Sequence, residues 1–172
     1  MDDNIPDYQL IFEAFPIKYN SIITGDPLNF PVFWETRNLI VNYIDQRNYP
    51  RDITQPTAVM VRCGQFFNET VIMIVVDDYA LEFPGINAGK IAQVRVFETG
   101  RKFVKALPPE YVLSLQMQAL SQMEDMFADN EFTRIIIEDA NAHAILCKTL
   151  GYRLVKTRGG KLMWMKTIGR NL

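Results

Sequence analysis

Between residues 90 and 167 the spacing of apolar side chains changes from the period of a strand to that of a helix and back, twice. No other feature constrains the fold as tightly. Residues 90–99 carry Ile91, Val94, Val96 and Phe97 and read as a strand that Gly100 closes. Leu107-Pro108-Pro109-Glu110 opens a long helix: proline suits the first helical position and an acid suits the positive end of the helix dipole. Its apolar stripe is Leu113, Met117, Leu120 and Phe127, widened by Val112, Ala119, Met123 and Met126. Gln116, Gln118, Gln122, Glu124 and Asp125 form the polar side. The stripe is Met-rich, which would suit a partner groove, but at helical spacing it reads as core. Residues 132–137 form a short buried strand. Residues 141–150 form a helix stopped by Gly151. Residues 152–157 and 162–167 are strands joined by the tight turn Arg158-Gly159-Gly160-Lys161.

Upstream, residues 8–19 read as a strand that Pro16 should break or bulge. Residues 31–46 repeat apolar side chains at helical spacing (Phe33, Leu39, Ile40, Tyr43, Ile44) and end at Asn48-Tyr49-Pro50. Residues 57–63 and 69–76 are β-branched runs separated by a hairpin signal at residues 64–68. A long loop over residues 77–89 follows. The order is strand, helix, three strands, long helix, strand, short helix, two strands. Two crossovers within a run of strands imply an α/β fold: a mixed sheet of six or seven strands with helices on both faces. One domain fills residues 1–172, with an N-terminal strand and helix over 1–56, central strands over 57–100, and the remaining elements over 107–168.

Composition excludes several functions. One His and two Cys, Cys63 and Cys147, cannot build a Cys/His zinc cage or staple a secreted domain. Asp77-Asp78 with Glu82 does not have calcium-loop spacing, so no metal is expected. A net charge of -2 argues against a general nucleic-acid binder, although a local basic patch is allowed. The acidic start Met1-Asp2-Asp3-Asn4 is not a signal-peptide n-region, and the apolar run over residues 71–76 is too short for a membrane helix. These signals predict a cytoplasmic protein with reduced thiols, and they equally fit a virus particle assembled in a cytoplasm. Net charge near zero is compatible with oligomerisation.

The stretch Ile135-Ile136-Ile137-Glu138-Asp139-Ala140-Asn141-Ala142-His143-Ala144-Ile145-Leu146-Cys147-Lys148-Thr149-Leu150-Gly151-Tyr152 and the hairpin after it resemble the GNAT (Gcn5-related N-acetyltransferase) fold, with its strand, helix and leucine-glycine-aromatic ending. The last third of the chain carries the resemblance, and the first hundred residues share only the element order. The combination of Asn141, His143, Lys148, Leu150-Gly151-Tyr152 and Arg158-Gly159-Gly160 is similar to short GNAT-like proteins of tailed bacteriophages, some of them carried inside the virion.

The resemblance implies an acetyl-CoA site. In the family the cofactor's pyrophosphate rests on backbone N–H groups of a glycine-rich turn before the long helix. Here that segment is Gly100-Arg101-Lys102-Phe103-Val104-Lys105-Ala106-Leu107-Pro108-Pro109, with one glycine and two prolines that lack N–H groups. Gly100, Arg101, Lys102 and Lys105 are the cofactor-binding candidates, the three cations acting as point charges; otherwise they are solvated loop residues. Many family members place an acidic tyrosine four residues before the helix-ending glycine, and Cys147 stands there. Its plain reading is a small core residue. Glu98 is the candidate base, with Glu138 and Asp139 as alternatives, and His143 is a candidate relay or a hydrogen-bonded structural histidine.

Two functions follow. One is a structural or interaction component on a degenerate GNAT fold, needing no cofactor and binding protein partners such as phage structural proteins, with no membrane. Aromatic residues such as Tyr8, Trp34, Tyr79 and Phe83 would be its anchors. The other is an acyl-CoA-dependent N-acetyltransferase in which an amine attacks the thioester directly.

Overall fold

A computed structural model of the protein describes residues 5–16, 57–78, 90–138, 143–156 and 159–169. Among these residues seven strands form one mixed sheet in the order β1-β2-β3-β4-β5-β7-β6. The strands are β1 (Leu10–Pro16), β2 (Thr57–Cys63), β3 (Glu69–Asp78), β4 (Lys90–Thr99), β5 (Phe132–Glu138), β6 (Arg153–Lys156) and β7 (Leu162–Thr167). The helices are α1 (Arg101–Ala106), α2 (Pro109–Asp129) and α3 (Ala144–Thr149). β4 and β5 run parallel, which requires a crossover, and α1 and α2 provide it. The pairs β1–β2, β2–β3, β5–β7 and β6–β7 are antiparallel.

The chain divides into two compact units whose segments interleave in sequence. One contains residues 1–7, 78–95 and 108–172. Its centre is the apolar run of β5, where Ile135 and Ile136 are fully buried. Ile136 packs in a cluster with Ile91, Met163 and Met165. Tight core packing of this kind leaves few voids. Over this strand lies α2, burying Val112, Leu115, Ala119, Leu120 and Met123. Gln118 fastens the chain's beginning to the same helix, its Nε2 donating to the Pro6 carbonyl at 3.0 Å.

The other unit contains residues 8–77 and 96–107. There β3 is buried from Val71 to Val76. The turn between β2 and β3 is a short 3-10 stretch, Gly64–Phe66, followed by Phe67 and Asn68 in the left-handed region, at φ 57° and 59°. Phe103 of α1 is buried against Phe66, ring centroids 5.1 Å apart, and Phe66 stacks on Tyr8 at 6.1 Å.

The structure corrects two expectations. Residues 101–106 are helical, not a loop. Gly100 caps the segment, and its carbonyl accepts from the N–H groups of Phe103 and Val104. β1 ends at Pro16, which pairs with Thr57 without a bulge, and residues 17–19 of the expected strand lie outside the described residues. The buried stripe of α2 runs through Val112, Leu115, Ala119 and Met123, so Leu113, Met117 and Phe127 are only half-buried, and Glu124, assigned to the polar side, is buried. The expected helix over residues 31–46 lies outside the described residues. So do residues 79–89 of the expected long loop, Trp34, Tyr79, Phe83, Glu82, Asp139 and Asn141.

Candidate functional site

Glu98, Gly100, Arg101, Lys102 and Lys105 belong to the unit that contains the end of β4 and α1; His143 and Cys147 belong to the other. Glu98 is half-buried on the penultimate residue of β4. Gly100 is buried, and its N–H donates to the Val71 carbonyl at 2.8 Å. Arg101 and Lys105 are exposed, and Lys105 lies in the last turn of α1, where a cation complements the helix dipole. Lys102 is held by Glu69 on β3, Nζ to carboxylate 2.7 Å, and lies 5.2 Å from the Phe103 ring centroid. Both members of this ion pair are well exposed, so it contributes little stability.

The first turn of α2 determines what it can offer a phosphate. Helix N-termini bind anions through their four unpaired N–H groups. Pro109 has none. The N–H groups of Tyr111 and Val112 donate to the Pro108 carbonyl, at 2.9 and 3.1 Å. That leaves the N–H of Glu110, whose own carboxylate stands in the same turn. An incoming pyrophosphate would meet one donor and one like charge here.

On the short helix α3, Cys147 is fully buried, and its carbonyl accepts from the Tyr152 N–H at 2.9 Å. Gly151 permits this tight ending because its φ of +87° is one that side-chain-bearing residues rarely adopt. His143 is half-buried at the N-cap position of α3. Cys63 is also fully buried, and burial pushes its thiol pKa upward. Neither cysteine is in a disulfide. Both thiols should therefore resist Ellman's reagent in the native protein and react together once urea unfolds it. Stoichiometric labelling of Cys147 before unfolding would place that thiol within reach of solvent.

Two features were missed by the sequence reading. Gln93 on β4 is fully buried opposite Ile136, with neither amide atom hydrogen-bonded. Its position in an apolar strand was legible; its lack of a partner was not. The other is a buried polar cluster around α2. Lys166 on β7 donates to Glu124 Oε1 at 2.8 Å and lies 5.6 Å from the Tyr152 ring centroid. The Tyr152 phenol faces the Glu124 carboxylate closely enough to feel its charge, although the pair falls short of good hydrogen-bond geometry. Burial first, and then the neighbouring Glu124 charge, drive the phenol's pKa far above its ordinary value.

No group of His, Cys, Asp and Glu side chains among the described residues could hold a metal ion. No helix among them is long and apolar enough to cross a membrane.

No family model and no curated protein matches the sequence. Solved structures do match. A GNAT family N-acetyltransferase from Escherichia coli, solved in complex with CoA, aligns with a TM-score of 0.53 at 11% identity, covering 95% of this chain and 84% of that one. A GNAT family acetyltransferase from Listeria monocytogenes aligns with a TM-score of 0.51 at 10% identity, over 91% and 94% of the two chains. At such identities the likeness concerns the backbone and not the site. The element order, the parallel β4–β5 pair and these alignments agree that the chain has the GNAT fold.

Proposed function

We propose that this chain uses the GNAT fold as an interaction or structural protein and does not transfer acetyl groups. The observation that carries this reading is the start of α2, where two prolines, two inward-turned N–H groups and the Glu110 carboxylate stand in place of an anion cradle. The burial of Cys147 supports it, because a thiol enclosed in the core is badly placed to protonate a leaving group. The resemblance to phage proteins gives the setting of the proposal: a virion component or a host-directed protein. A thiol-release assay with acetyl-CoA and a panel of primary amines tests it. CoA should appear no faster than without protein; release proportional to protein concentration would overturn the reading.

The CoA-bound Escherichia coli structure of the same fold favours a second reading, an acetyl-CoA-dependent N-acetyltransferase. In it the amine nitrogen attacks the thioester carbonyl, Glu98 or a water it holds takes the amine proton, and CoA leaves as the thiolate. Arg101 and Lys105 would then meet the cofactor's phosphates as exposed charges.

A further inference from the structure

Charge is divided along this chain far more unevenly than its total suggests. All 20 acids lie within residues 1–139, which contain 11 of the 18 Lys and Arg and so a formal charge of -9. Residues 140–172 contain the other seven cations and no acid, a formal charge of +7. In this basic segment Lys166 is paired with an acid, Glu124. Lys148, Arg153, Lys156 and Lys161 are exposed.

The fold places this charge beside an open strand. Among the described residues β6 is the last strand of the sheet, paired on one side only, with β7. Its outer edge presents backbone N–H and C=O groups, a template for another strand. Arg153 and Lys156 flank that edge. Leu154 on β6 is 46% exposed and Leu162, at the start of β7, is 41% exposed. The surface thus offers backbone pairing, one cation on each face of the strand and two apolar contacts.

We infer that the β6 edge receives an acidic segment of a partner polypeptide, added to the sheet as an extended strand. Main-chain hydrogen bonds would supply affinity, and carboxylates three positions apart, one on each face of the added strand, would meet Arg153 and Lys156. A second copy of this chain is a poorer occupant, because β6 against β6 would set the same cations opposite each other. A nucleic acid would satisfy the cations but leave the strand's backbone groups unmatched and the two leucines uncovered.

The test is fluorescence anisotropy with a labelled acidic peptide of about ten residues, its Asp and Glu three positions apart among Val and Thr. Three probes accompany it: the same peptide N-methylated at alternate backbone nitrogens, a version with Lys for each acid, and a single-stranded oligonucleotide of similar length. The full-length chain should bind the acidic peptide, more weakly at high salt. The N-methylated and Lys peptides should not bind. The double variant Arg153→Glu/Lys156→Glu, whose positions are exposed, should keep its circular dichroism spectrum and lose at least about tenfold in affinity. The inference is overturned by no binding, by equal binding of the N-methylated peptide, or by an unaffected double variant. Tighter binding of the oligonucleotide would overturn it in favour of a nucleic-acid surface, and a dimer that the double variant dissociates would overturn it in favour of self-association.

Discussion

Replacing Lys166 with methionine is expected to cost about 2–3 kcal/mol of unfolding free energy, read from urea melts. The value lies below the roughly 3–5 kcal/mol of a fully buried broken ion pair, since the Lys166 side chain is 28% exposed. The variant keeps most of the side chain's bulk, so lost packing contributes little. What it removes is the cation that meets Glu124. That carboxylate is 8% exposed and already has one oxygen without a hydrogen bond. The double replacement Glu124→Leu/Lys166→Met should recover most of the loss, because swapping both partners for apolar groups removes the uncompensated charge as well as the attraction. A Lys166→Met variant as stable as the parent would mean that the Glu124 carboxylate finds solvent without Lys166.

The same cluster sets the expected behaviour in alkali. The Tyr152 pKa is raised in the folded protein, so above the ordinary phenol value near 10 the unfolded chain loses this proton while the folded chain keeps it. The folded state then binds more protons than the unfolded state, and stability falls as pH rises. The slope is about 1.4 kcal/mol per pH unit from this one group. Below pH 10 the contribution is fully present. Cys63 adds the same sign of dependence starting near its ordinary value of 9.0. Urea melts between about pH 9 and 12 should show this decline, with the component above pH 10 absent in Tyr152→Phe. Identical profiles for the parent and that variant would show that the phenol titrates as it does in the unfolded chain.

Much of this fold was legible because its punctuation is local. β4 spans the residues expected of it since an apolar run meets Gly100, and α2 starts where two prolines allow a start and nothing else. The Leu150-Gly151-Tyr152 ending was readable because a glycine with positive φ has few other uses after a helix. α1 was not readable: six residues with one buried side chain, Phe103, give no periodicity, and the contact that fixes it is with Phe66, far away in sequence. Glu124 was misassigned for a related reason. Its helical position is polar by type, and its cation is supplied by Lys166, 42 residues later. Cys147, Lys102 and Gly100 were identified as positions, but their surroundings are tertiary: the core beneath α3, Glu69 on β3 and the Val71 carbonyl. Spacing could name candidates; only packing decides which of them reach solvent.

The central claim is that this GNAT fold lacks a working acetyl-CoA site, and calorimetric titration of the full-length chain with acetyl-CoA tests it most directly. The expected result is no heat of binding at cofactor concentrations approaching millimolar, and no rise in melting temperature in the same mixtures. A saturable titration with micromolar affinity would contradict the claim and return the start of α2, with Arg101 and Lys105, to the role of a cofactor site.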